Sequence, residues 1–146
     1  PLRLEVPKGG INDFAFYSGQ DSNVIVGEGI VLRKPHPTEP NRGTITTIGN
    51  GAIRTTSVVT CSDGKRSASG AHDGSIAVWD DEWAVRRVLT CLATDINNKP
   101  VTQPVSKVSF TRKRGCLAAA SGSNLFLFDI RSELKFWRQI AKTPSR

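Results

Sequence analysis

Apolar and polar residues alternate with period two in three stretches: Ile11-Asn12-Asp13-Phe14-Ala15-Phe16, Ile53-Arg54-Thr55-Thr56-Ser57-Val58 and Val105-Ser106-Lys107-Val108-Ser109-Phe110. That period places successive side chains on opposite faces of a β-strand. A turn-rich patch follows each stretch, at residues 17–22, 61–65 and 111–115. Each patch leads into a run of small or branched residues that ends in glycine: Val24-Ile25-Val26-Gly27, Ser67-Ala68-Ser69-Gly70 and Ala118-Ala119-Ala120-Ser121-Gly122. The opening apolar residue and that glycine are 16, 17 and 17 residues apart. A further apolar strand comes next, at residues 30–33, 76–80 and 125–129. The turns before these strands carry Gly27-Glu28-Gly29, His72-Asp73-Gly74-Ser75 and Gly122-Ser123-Asn124. Gly, Asp and Asn tolerate the positive φ that tight hairpins need. A fourth, more polar strand is predicted at 44–48, 85–92 and 134–140, the last fitting either period imperfectly. No segment shows a convincing helical period.

The pattern therefore predicts an all-β chain of repeated four-stranded antiparallel meanders. The units start 42 and 52 residues apart. The second spacing is longer because residues 95–103, with Asn97, Asn98 and Pro100, read as an inserted loop.

The segment Ser67-Ala68-Ser69-Gly70-Ala71-His72-Asp73-Gly74-Ser75-Ile76-Ala77-Val78-Trp79-Asp80 resembles the strand–turn–strand signature of the WD-repeat β-propeller family. A weaker likeness lies in Ala119-Ala120-Ser121-Gly122-Ser123-Asn124-Leu125-Phe126-Leu127-Phe128-Asp129, with Phe128-Asp129 where the signature has Trp-Asp. The first unit keeps only the spacing and Gly27-Glu28-Gly29-Ile30-Val31-Leu32. The resemblance implies propeller blades at residues 11–50, 51–94 and 95–140, the third carrying the inserted loop. Residues 1–10 read as the outer strand of a preceding blade and its connection, and residues 141–146 as a basic tail. It also implies a hydrogen-bonded network joining Asp73, Ser69 and Trp79 to a histidine before the first strand. That histidine is missing, because the chain reads Ile48-Gly49-Asn50-Gly51-Ala52 there. The third unit lacks the turn Asp, the His and the Trp.

Propellers close with about four to eight blades. Three blades make an incomplete ring with two apolar end faces exposed to water. The expected partners are therefore proteins, including the rest of the chain's own propeller or a second copy. Neither an initiator Met nor any other Met is present, and the strand-like start favours an excised segment of a longer polypeptide.

Composition adds charge to this picture. Twenty Lys and Arg against thirteen Asp and Glu give +7 and a pI near 9.8. The final sixteen residues, with Arg131, Lys135, Arg138, Lys142 and Arg146 against Glu133, hold +4 of it. Arg112-Lys113-Arg114 is a second cluster. A basic balance suits acidic partners, nucleic acid among them. Only 7% of residues are aromatic, so base stacking has few candidates. The three cysteines, Cys61, Cys91 and Cys116, form no C-x-x-C pair, which argues against zinc and for buried thiols in a reducing compartment. The start lacks the apolar stretch of a signal peptide, and an intracellular location is expected, cytoplasmic or nuclear.

Catalytic signatures find little support. His36 sits between two prolines and His72 in a hairpin turn, with no nucleophile at a recognised spacing. No cofactor and no metal ion are expected. The candidate residues are a structural network of Ser69, Asp73, Trp79, Asp80, Phe128 and Asp129, and protein contacts at His36, His72, Asn97 and Asn98. These readings predict a non-catalytic scaffold that mediates protein–protein interactions within a larger intracellular complex. The alternative is a ribonucleoprotein subunit contacting phosphates through Arg112, Lys113, Arg114, Lys135, Arg138 and Lys142.

Overall fold

The structure is a computed structural model, and it describes residues 10–16, 23–27, 29–35, 38, 43–48, 54–62, 65–80, 84–111, 115–130 and 138–142. Among the described residues there is no helix. Three four-stranded antiparallel meanders follow one another along the chain. The first sheet contains β1 (Asp13–Phe16), β2 (Asn23–Val26), β3 (Ile30–Pro35) and β4 (Gly43–Ile48). The second contains β5 (Thr55–Thr60), β6 (Arg66–Ala71), β7 (Ser75–Asp80) and β8 (Val85–Thr90). A short hairpin, β9 (Leu92–Thr94) and β10 (Pro100–Thr102), precedes the third. The third contains β11 (Val105–Phe110), β12 (Cys116–Ser121), β13 (Asn124–Asp129) and β14 (Arg138–Lys142).

Two details differ from the sequence reading. The inserted segment is not an irregular loop but the β9–β10 hairpin, with Ala93 paired to Val101. Its tip closes because Asn98 takes a left-handed φ of 60°, which asparagine tolerates better than most residues. The last strand is described over Arg138–Lys142 and so runs past the expected end at residue 140, while residues 134–137 of the expected strand lie outside the described residues. There Ala141 pairs with Leu127 and Lys142 with Phe126, so pairing with β13 continues past residue 140.

The core lies between sheets rather than inside them. Val26, Ile30, Val58 and Trp79 join the first sheet to the second, with Ala15 and Ala77 packed against them. Ala68, Ile76, Val78 and Leu89 of the second sheet meet Val105, Val108, Leu117, Ala119, Phe126 and Phe128 of the third. The small residues of β6 permit this closeness. A Cβ on Gly70 would stand 2.4 Å from Val105 Cγ1 and 3.2 Å from Val108 Cγ1, so only glycine lets β11 approach so near.

The opening strands of the second and third sheets share one irregularity. β5 has a bulge between Thr55 and Ser57, and β11 has one between Val105 and Lys107. The extra residue carries a hydroxyl each time. Thr56 Oγ1 donates to the carbonyl of Gly70, and Ser106 Oγ to that of Ala120, at 3.1 and 3.2 Å. The residue left out of the ladder thus returns a bond to the neighbouring strand.

Polar groups also fasten sheet to sheet. The Asp13 carboxylate accepts from Val58 N at 3.0 Å and from Ser57 Oγ at 3.2 Å. The Ser57 hydroxyl in turn accepts from Val108 N at 3.2 Å. One acid, one hydroxyl and one amide therefore run across all three sheets. Thr56 Oγ1 reaches the third sheet too, its single proton shared between the carbonyls of Gly70 and Val105.

Candidate functional site

The turns sort onto two rims. One rim carries Gly27 and Gly29, the His72-Asp73-Gly74 turn, the Gly122-Ser123 turn and the β9–β10 hairpin. Direct bonds hold these pieces together. His72 N donates to Arg54 O, Thr55 N to Gly27 O and Cys91 N to Gly74 O. Ser121 Oγ donates to Gln103 O at 2.8 Å. Gly74 has a φ of +88°, and a Cβ there would meet Thr102 Cβ at 2.8 Å. Both the backbone and the crowding require glycine where the turn touches the hairpin.

The network residues separate. Trp79 Nε1 donates to Ser69 Oγ at 2.9 Å, and both side chains are buried. Asp73 does not join them. It is exposed, and its Oδ1 accepts from Ser75 N at 2.9 Å and Ser75 Oγ at 2.5 Å. Its own turn offers donors two residues away, and a carboxylate takes the nearest ones. Asp80 Oδ1 accepts from Ala84 N at 2.9 Å and tightens the connection into β8. Phe128 is buried and stacks on Phe126, ring centroids 6.3 Å apart. Asp129 is half-buried at the end of β13.

Of the predicted contact residues, His72, Asn97 and Asn98 are exposed on the hairpin rim. His36, Arg112, Lys113, Arg114 and Lys135 lie outside the described residues. Arg138 and Lys142 lie on β14, paired with Asp129 and Phe126.

The opposite rim holds a cavity of about 300 Å³ between the second and third sheets. Val59, Thr60, Cys61, Arg66, Phe110 and Cys116 are among its walls. Arg66 reaches across it to the carbonyl of Ile130 at 3.4 Å. The cysteines therefore divide. Cys61 and Cys116 are half-buried at the cavity, whereas Cys91 is fully buried in the core. Burial pushes the Cys91 thiol up to about 12. The expectation of three buried thiols holds for Cys91 alone. Among the described residues no three His, Cys, Asp or Glu side chains come together to hold a metal ion. No described helix is long and apolar enough to cross a membrane.

Two features escaped the sequence reading, the line through Asp13 and Ser57 and the exposure of Ile96. Asp13 and Ser57 were visible only as polar residues inside alternating stretches. Ile96 was visible as the lone apolar residue in Asp95-Ile96-Asn97-Asn98-Lys99, and it is 97% exposed. The two ends of the array carry exposed apolar residues, as the incomplete ring was expected to. Phe14 and Phe16 are 57% and 63% exposed on the first sheet, and Leu125 is 42% exposed on the third.

Wedge-like sheets, packed face to face and joined at their opening strands, define an incomplete β-propeller. Its fold is that of the WD40 propellers. It is similar to the Myceliophteria thermophila Cps50 (Swd1) propeller domain at 11% identity and a TM-score of 0.71, covering 95% of this chain and 47% of that one. Chaetomium thermophilum Sqt1, bound to the N-terminus of the ribosomal protein L10, is similar at 20% identity and a TM-score of 0.70, with 95% and 35% covered. The RRP9 WD40 repeats match at 14% identity and a TM-score of 0.74, with 97% and 41% covered. The chain thus spans less than half the length of these solved structures. At the level of sequence, no family model and no curated protein matches it.

Proposed function

We propose that this chain is a non-catalytic WD-repeat scaffold that mediates protein–protein interactions within a larger intracellular complex. The observation that carries this reading is the hairpin rim. There, turns from the second and third sheets and the β9–β10 hairpin are bonded into one ordered surface that presents His72, Asn97 and Asn98. A rigid scaffold that holds exposed loops in fixed positions is suited to recognition. The solved Sqt1 structure, a propeller bound to the N-terminus of another protein, supports the same use.

Further blades, from the rest of the polypeptide or from a second copy, are proposed to cover the apolar end faces at Phe14, Phe16 and Leu125. Blades already pack through such faces at the two internal junctions.

The test compares two ligand classes on one chain. Wild type and the triple variant His72→Ala, Asn97→Ala, Asn98→Ala are titrated with proteins recovered by affinity capture and then purified, and with a fluorescent RNA oligonucleotide. The scaffold reading expects at least one discrete protein to bind the wild type and to lose affinity for the triple variant. RNA affinity that falls steeply with salt, with a slope reduced in Arg112→Ala, Lys113→Ala, Arg114→Ala, would instead establish the phosphate-contacting alternative.

A further inference from the structure

Rigid mounting and full exposure meet at one side chain, Ile96. It stands at the tip of the β9–β10 hairpin, which the three four-stranded meanders do not need for their pairing. An isoleucine left 97% exposed at an ordered tip gains nothing for folding.

The tip is held from within. Asp95 N donates to Lys99 O at 2.9 Å, and Asn98 N to Asp95 O at 3.0 Å. Asp95 Oδ1 accepts from Asn97 N at 2.8 Å and from Lys99 N at 2.9 Å. The base is held from below. Ala93 is buried, Val101 packs on the core, and Cys91 N is bonded to Gly74 O. The outward face of the hairpin is mixed, with Leu92 51% exposed opposite Thr102 and Pro100 exposed opposite Thr94.

Charge gives the partner its second property. Both tip bonds to a side chain fall on Asp95 Oδ1, which turns that oxygen into the loop. Among the described residues the exposed Lys99 side chain has no ion pair, in a chain of net charge +7. The tip therefore offers an apolar knob beside an exposed ammonium that makes no ion pair among the described residues.

We infer that Ile96 is the anchor of a protein-docking surface, and that its partner is a protein presenting an isoleucine-sized apolar socket with a carboxylate at its edge for Lys99. This inference rests on the scaffold reading and names the contact within it. A knob already fixed by its turn loses little conformational freedom on docking, which favours a few anchors carrying most of the affinity.

The experiment uses the full chain with a photo-crosslinking benzoylphenylalanine at Thr94, exposed beside the tip so that Ile96 itself stays intact, and at Ser123 on the neighbouring turn as control. Proteins cross-linked through position 94 and not through position 123 are identified, purified and titrated against wild type, Ile96→Ala, Ile96→Val and Lys99→Glu. Ile96→Ala is expected to weaken binding by roughly ten- to thirty-fold, and Ile96→Val to recover most of that loss. Lys99→Glu is expected to weaken binding and to flatten its dependence on salt. Melting temperatures equal to wild type show that the variants fold, since Ile96 lies outside the core. A partner that binds Ile96→Ala as tightly as wild type overturns the anchor and leaves the scaffold reading standing. If no discrete protein binds the wild-type chain by cross-linking or titration, both fall.

Discussion

Gly70→Ala tests the packing argument most directly. The added methyl carbon would stand 2.4 Å from Val105 Cγ1 and 2.9 Å from Val105 Cβ, both side-chain atoms of a residue with no exposed surface. The neighbour has little room to move. Thr56 Oγ1 bonds the carbonyls of both Gly70 and Val105 and pins the two strands together at that point. Two terms oppose each other. Replacing a strand glycine by alanine gains about 0.5–1 kcal/mol of backbone entropy. Overpacking a close junction costs about 1–3 kcal/mol. The contact is well inside van der Waals range and falls on a branched carbon, so the cost should win, with net destabilisation of about 1–2 kcal/mol. In urea that is a midpoint lowered by roughly 0.5–1 M, at a slope near 2 kcal/mol/M. The assay is urea unfolding followed by tryptophan fluorescence for wild type, Gly70→Ala, Val105→Ala and the double variant. Removing the two Val105 γ-carbons makes room for the new methyl, so the double variant should be more stable than the two single effects added together. A Gly70→Ala protein as stable as wild type, or strict additivity in the cycle, would refute close approach as the reason for glycine.

Other perturbations address separate contacts. Asp13→Ala should lower stability by about 1–3 kcal/mol in chemical denaturation, because Val58 N and Ser57 Oγ lose their acceptor. Trp79→Phe keeps most of the buried ring but leaves Ser69 Oγ without its donor, and should cost about 1–2 kcal/mol, against roughly 3–5 for Trp79→Ala, both read from melting curves. Asp73→Ala should cost under about 1 kcal/mol in the same melts, since the exposed carboxylate serves only its own turn. Iodoacetamide should label Cys61 and Cys116 in the native protein and reach Cys91 only with denaturant. Because the folded Cys91 thiol is raised from 9.0 to about 12, the unfolded chain releases that proton first, and stability should fall as pH rises from about 9 towards 12. Cys91→Ala should flatten that decline.

Strand content and blade order were legible because each depends on local pattern. The alternation in residues 105–110 and the glycine 17 positions after Val105 are enough to set β11 against β12. The hairpin at β9–β10 was read as a loop because its two strands are only three residues each, too short for alternation to register. Asp73 was assigned by likeness to a family network, but a side chain's partner depends on distances that no signature encodes. Here the Ser75 donors lie closer to hand. Asp13 and Ser57 show the converse. Nothing local distinguishes them, and their role appears only when β1, β5 and β11 lie side by side.

The line from the Asp13 carboxylate through the Ser57 hydroxyl to the Val108 amide has a mechanical consequence. Ser57 serves both neighbours with a single oxygen, so a tilt of one sheet is felt by the next two. The arc then behaves less like beads on a string than like a machined bracket. The turns along its rim are thereby held at fixed intervals.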